Sequence, residues 1–270
     1  MPPPLLVEDM LMLLVVDVGN TNTVFGVYDL QSDALRTTVR AATRRDRMPD
    51  EWFAILAPVL ASVSIDPRSI EAMVISSVVP SVTRWLSTMS QERLKITPIV
   101  VSVDIDLGLP IDMDDPREVG ADRLVNSIAA IHRYGAPVIV IDFGTALNFD
   151  VVDARGHYIG GSLSPGLVIA LDAMTSRAAR LFSVDLVPPP GAIGRNTTHA
   201  IQSGLVLGYV GLVEGMIQRI SAEIDGKPTV VVTGGYAELF ASQSPLIDAH
   251  DPDLTIDGLR LVYERLKARA

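Results

Sequence analysis

The chain has 270 residues, 48% of them hydrophobic and 20% charged, with no cysteine and a formal net charge of −10. That length allows one large domain or two of ordinary size around a buried core, and the lack of cysteine excludes disulfide frameworks, zinc–thiolate sites and thiol nucleophiles. The acidic balance argues against nonspecific binding to nucleic acid or anionic lipid, which depends on Lys and Arg, so any anionic ligand must be held locally.

Residues 1–11, MPPPLLVEDML, read as an N-terminal extension to a chain that begins at Met12. Mean hydropathy is +0.33, yet no uninterrupted apolar run reaches the roughly 18 residues of a membrane span. The run 10–16 stops at Asp17 and the run 204–213 stops at Glu214. Glu8 and Asp9 stand where a secretory signal would be basic. The expectation is a cytoplasmic protein with no membrane partner.

From Leu13, LLVVDVGNTNTVFGVYD reads as strand, tight polar turn and strand. The basic stretch Arg36, Arg40, Arg44, Arg45 and Arg47 follows; without interleaved aromatic residues it reads as a solvated loop or strand edge rather than a nucleic-acid site. A helix is predicted over 49–60, with Pro49 first and Asp50 and Glu51 complementing its dipole. Strands follow over 72–79 and 96–103, then a helix over 121–133 with an apolar stripe of Leu124, Val125, Ile128, Ala129 and Ile131.

From Val138 the first pattern recurs as VIVIDFGTALNFDVVD. Pro188 to Pro190 read as a rigid connector, and 197–220 as a long helix containing Gly204, Gly208, Gly211 and Gly215. Glycine weakens a helix by about 1 kcal/mol, so this one either breaks near Gly208 or uses its glycines for close packing, for example across a dimer interface. A buried strand over 228–233 runs into Gly234 and Gly235. Two related halves of alternating strands and helices predict an α/β chain of two similar domains, 12–125 and 126–270, with a ligand in the cleft between them at the strand-end turns.

Three constellations could carry chemistry. In DVGNTNTV at 17–24, Gly19 lets backbone N–H groups approach a phosphate, Asn20, Thr21 and Thr23 add neutral donors, and Asp17 suits Mg²⁺ and its waters. The same residues also fit a hairpin turn capped by Asp17. The second half repeats the arrangement at Asp142, Gly144 and Thr145, and two such loops suit a nucleotide triphosphate. The third is EVGADR at 118–123, where a carboxylate next to Arg123 can stay ionised and accept a hydroxyl proton; a solvated helix start fits it too. No Walker lysine motif and no Gly-x-Gly-x-x-Gly turn opening a helix is present, and His132, His157, His199 and His250 lack ligand spacing.

In their order, DVGNTNTV, ISSVVP at 75–80, DPREVGADRLVN at 115–126, IDFGTA at 141–146, GGSLSPG at 160–166, SRAARL at 176–181, GRNTTHAIQSG at 194–204, TGG at 233–235 and DPDLTIDGL at 251–259 resemble the type III pantothenate kinases. The resemblance implies two tandem ribonuclease-H-like domains of the actin-like ATPase superfamily, a homodimer, and transfer of the ATP γ-phosphate to the 4′-hydroxyl of pantothenate. It implies that Asp17, Val18, Gly19, Asn20, Thr21, Asn22, Thr23 and Val24 form the ATP phosphate loop, and that Thr145 is a second phosphate contact. Gly120, Ala121, Asp122 and Arg123 would bind pantothenate, with Asp122 the proton acceptor and Arg123 on the substrate carboxylate. Asp142 would ligate K⁺ or NH₄⁺, and Thr197 would reach substrate from the partner subunit. Met113 stands where many members have tyrosine, and Leu147 where a small polar residue is frequent. A noncatalytic nucleotide-binding regulator and another small-molecule kinase are the alternatives on the same scaffold.

Overall fold

Both predicted hairpins form, and each opens a five-stranded sheet of the same design. The computed structural model describes residues 11–177 and 181–269; residues 1–10 of the expected extension and 178–180 of the SRAARL segment lie outside them. In the first sheet, β1 (Met12–Val18), β2 (Asn22–Asp29) and β3 (Leu35–Ala42) are antiparallel, while β4 (Ile70–Ser77) runs parallel to β1 and β5 (Ile99–Val100) parallel to β4, in the order β3-β2-β1-β4-β5. In the second, β6 (Val138–Phe143), β7 (Ala146–Val152) and β8 (Tyr158–Pro165) are antiparallel, with β9 (Thr229–Thr233) and β10 (Ala249–His250) added in parallel, in the order β10-β9-β6-β7-β8. The sequence repeat is therefore a structural repeat.

Strand alternation sets the first core. Met12, Leu14, Val16 and Val18 cluster with Trp52, Leu56 and Leu60 of α1 (Pro49–Ser62) and Val82, Leu86 and Met89 of α2 (Pro80–Met89). Each such side chain contributes about 1.5–3 kcal/mol on burial. The alternate residues Leu13 and Val15 are fully buried as well, so the other face must also be covered. Their cover is α8 (Leu254–Lys267): Tyr28 donates to Asp257 Oδ1 at 2.8 Å, and a Cβ on Gly26 would lie 2.5 Å from Ile256 Cγ2.

Among the described residues the first compact unit accordingly comprises 11–108, 117–125 and 255–269, and the second the described residues of 109–116 and 126–254. A division at 125/126 describes the course of the chain, whereas 255–269 belong with the first unit. The segment 109–116 joins the second through Tyr158, whose N–H donates to Pro110 O at 2.9 Å and whose carbonyl accepts from Asp112 at 2.8 Å.

In the second unit, Ile139, Ile141 and Phe143 cluster with Val213, Ile217 and Phe240, and Phe143 stacks on Phe240 at 4.5 Å. The long glycine-containing helix does not break at Gly208. It runs as α5 (Thr197–Gln202), a π-helical turn over Ser203–Leu207 and α6 (Gly208–Ser221), with Gly208 helical at φ −61 and ψ −40. By length and composition alone it could cross a membrane. Its apolar course is interrupted by Glu214, where the sequence reading ended the run, and by Arg219. The predicted strand 96–103 shrinks to β5; Pro98 immediately before it has no N–H for a ladder. The other helices are α3 (Ala121–Tyr134), α4 (Leu167–Arg177) and α7 (Ala237–Ala241).

Candidate active site

At the end of β1 the chain turns through residues 19–21 into β2. Gly19 N–H donates to Asn22 O at 2.9 Å, and Asn20, Thr21 and Asn22 are exposed. Thr43, just past β3, fastens this turn: its hydroxyl donates to Gly19 O at 2.8 Å and its N–H to Thr21 O at 2.9 Å. Thr23 Oγ1 lies 2.9 Å from Thr43 Oγ1 and is fully buried, so it supports the loop from below and does not reach solvent as the sequence reading expected. Val18 is also buried, and its carbonyl accepts from Val78 N–H at 3.1 Å. Sequence reasoning passed over Thr43 because it sits in the basic stretch. Its signal is a small hydroxyl residue at the end of the strand that pairs with β2.

Two steps before the turn, Asp17 Oδ1 is buried and has no hydrogen-bond partner. Burial first, and then the charge of Asp122, raises the Asp17 pKa to about 7, while Ser76 and Arg40 pull it down. Ser76, opposite Asp17 in the β1–β4 register, acts as a nearby dipole, since its buried hydroxyl also lacks a hydrogen-bond partner. An orphaned carboxylate oxygen fits a divalent cation. Among the described residues no group of three His, Asp or Glu side chains could hold a metal ion, so the fit is to Mg²⁺ that keeps its waters and leans on substrate phosphates.

Asp122 is the second residue of α3. It accepts from Arg123 N–H at 2.9 Å, and burial raises its pKa more than that bond and the Arg123 charge lower it. The sequence reading let Arg123 keep Asp122 readily ionised; desolvation outweighs it and makes the carboxylate a stronger proton acceptor. Gly120 leaves room for this carboxylate, because a Cβ there would stand 2.5 Å from Asp122 Oδ1 and displace it. The first unit thus brings together Asp17, Asp122, the exposed turn and the segment 120–123.

In the second unit, Asp142 is the penultimate residue of β6 and lies between Thr233 of β9 and Asn148 of β7. Asn148 Oδ1 is buried with no hydrogen-bond partner, and an amide oxygen beside a carboxylate suits a monovalent cation. Gly144 and Thr145 are exposed, and Gly166 N–H donates to Thr145 O at 3.1 Å. Leu147 is fully buried in the core cluster of Phe143 and Phe149, so its departure from a polar residue alters packing rather than the Asp142 row. Met113 is half-buried in the segment 109–116. Thr197 opens α5, exposed, after an Asn196 cap that accepts from His199 N–H at 2.8 Å.

Gly234, at φ +95, places its missing Cβ 2.3 Å from Asp142 Oδ1 and 2.8 Å from Phe143 N. Gly234→Ala therefore meets both an unfavourable backbone and a collision. It is expected to cost more than about 1 kcal/mol of stability, checked by thermal melting. An unchanged melting temperature would refute the contact.

A family profile described as type III pantothenate kinase matches residues 13–219. A type III pantothenate kinase of Thermomicrobium roseum is 49% identical over 255 residues, covering 94% of this chain and 98% of its own length. That of Roseiflexus sp. (strain RS-1) is 47% identical over 253 residues, covering 94% and 98%. Among solved structures, a Baf family protein from Campylobacter jejuni superposes with TM-score 0.60 at 17% identity, over 94% of this chain and 99% of that one. Component A of (R)-2-hydroxyglutaryl-CoA dehydratase from Acidaminococcus fermentans gives TM-score 0.54 at 12% identity, over 96% and 100%. At such identities these two show a shared fold.

Proposed function

The chain belongs to the type III pantothenate kinase family, and from that premise we propose how its residues divide the work. The reaction is ATP-dependent phosphorylation of pantothenate in coenzyme A biosynthesis. We assign the turn 17–24 to the ATP phosphates and Thr145 to a second phosphate contact. Gly120 to Arg123 take pantothenate, with Arg123 on its carboxylate. Asp122 accepts the 4′-hydroxyl proton as that oxygen bonds to the γ-phosphorus; the bond from the γ-phosphorus to the β–γ bridging oxygen breaks and ADP leaves. Such transfers pass through a loose transition state, so positioning and charge compensation supply most of the acceleration. Asp17 would hold Mg²⁺ through its waters, and Asp142 with Asn148 would hold K⁺ or NH₄⁺; these cations would supply positive charge against the triphosphate.

The observation that carries this reading is the pair of carboxylates, Asp17 and Asp122, both with raised pKa beside an exposed glycine turn. Its test is ADP release from ATP and Mg²⁺, with and without pantothenate, in potassium and in sodium buffer. Pantothenate-dependent release favoured by potassium is expected. Release indifferent to pantothenate, or none, overturns the assignment.

We assign the active form to a cytoplasmic homodimer. Leu163, Val168, Ile169 and Ile193 of the second unit are exposed, Ile193 to 87%. A Cβ on Gly204, Gly208 or Gly211 would meet nothing within 4 Å. An open glycine face beside exposed apolar side chains suits a second copy of the chain, and Thr197 would then serve the partner's substrate. Ile193→Glu combined with Val168→Glu is expected to give monomers by light scattering and a pantothenate KM raised about tenfold. A dimer of unchanged stability would remove this face from the interface.

A further inference from the structure

The basic stretch does not act as one unit in the fold. Arg36 pairs with Asp29 at 3.7 Å, and Arg47 donates to Ala42 O at 3.2 Å while lying 4.6 Å over the Trp52 ring. Arg40 makes no such bond; it is exposed, and no hydrogen bond or ion pair engages it among the described residues. Its place in the sheet is specific. Asp17 is opposite Val24 in the β1–β2 register, and Val24 is opposite Arg40 in the β2–β3 register. Residues opposite one another share a face, so Arg40, Val24 and Asp17 form one row across roughly 10 Å, two strand spacings. The face is the one away from α1 and α2, because Val39 and Ala41 are the β3 residues packed in that core.

Val24 lies between Arg40 and Asp17 and offers no polar group to either. Thr43, three residues after Arg40, holds Gly19 and Thr21, so the guanidinium is carried on the strand that fastens the turn. From this geometry we propose that Arg40 is a nucleotide-binding residue, whose guanidinium offsets the Asp17 carboxylate and receives the terminal phosphate oxygens of ATP. The assignment rests on the kinase reading and adds a residue to its first unit. Its charge already lowers the Asp17 pKa against burial and Asp122. A planar fork suits phosphate oxygens better than a point charge does.

The test compares wild type, Arg40→Gln and Arg40→Lys by calorimetric titration with Mg²⁺ and a nonhydrolysable ATP analogue, with AMP, and by kinetics. Arg40→Gln is expected to weaken the analogue and raise the ATP KM by about 10- to 100-fold. AMP affinity, pantothenate KM and melting temperature should change less than about twofold or by less than a degree or two, and Arg40→Lys should recover part of the loss. Unchanged analogue affinity, or equal losses for the analogue and AMP, overturns the proposal. Because the titrations need no turnover, they read Arg40 even in a protein that fails to phosphorylate pantothenate.

Discussion

Asp122→Asn is expected to lower kcat by about 10²- to 10⁴-fold, the usual weight of a general base, while leaving affinity for a nonhydrolysable ATP analogue within about twofold. The substitution keeps the shape of the side chain, and an amide oxygen can still accept from Arg123 N–H, a bond of 2.9 Å in the native protein. What it removes is basicity that burial has raised. The melting temperature should hold or rise, since a buried carboxylate is exchanged for a neutral group. Pantothenate-dependent ADP release and calorimetric titration measure the two sides of this prediction. Wild-type turnover in the variant would take the proton acceptor away from Asp122.

Asp17→Asn should separate stability from activity in the same sense, with a marked dependence on pH. Asp17 has a folded pKa of about 7 against an ordinary 3.8. Between those values the folded chain holds a proton that the unfolded chain has released. Stability linked to this group is therefore fully present below about pH 4 and is lost as pH rises to about 7, a cost on the order of 4 kcal/mol. Asparagine carries no proton to lose. In metal-free buffer the variant should melt at higher temperature than wild type at pH 8, and the two should converge near pH 4. Activity should nonetheless fall by more than about 100-fold, because the carboxylate charge that suits a divalent cation is gone. Parallel melting curves at both pH values would contradict the burial of this charge.

Much of the fold was legible because its signals are local. Each hairpin announces itself by a β-branched run ending in Asp and a glycine turn, and the repeat of that pattern discloses two sheets of one topology. The placement of α8 was not legible, because it depends on which sheet has an uncovered face. That is decided by Gly26 meeting Ile256 and Tyr28 meeting Asp257, pairs far apart in sequence. At the site, the sequence names Asp17, Asp122 and Asp142 but cannot rank burial against a neighbouring cation. It credited Arg123 with keeping Asp122 ionised, whereas desolvation dominates. It also merged Arg40 and Thr43 into a solvated stretch, since strand register alone aligns one with Asp17 and brings the other to Gly19.

We propose that ATP phosphorylates pantothenate beside a buried carboxylate pair of the first unit, Asp17 and Asp122, with Asp122 taking the hydroxyl proton. The most direct measurement is the single-turnover rate of pantothenate phosphorylation from pH 5 to 9 in wild type and Asp122→Asn. The wild-type rate should rise through an apparent pKa above the ordinary carboxylate range, a value belonging to the coupled pair, and the residual rate of the variant should lack that rise. The same rising limb in Asp122→Asn, or a wild-type rate flat from pH 5 upward, would take the proton-acceptor role away from Asp122.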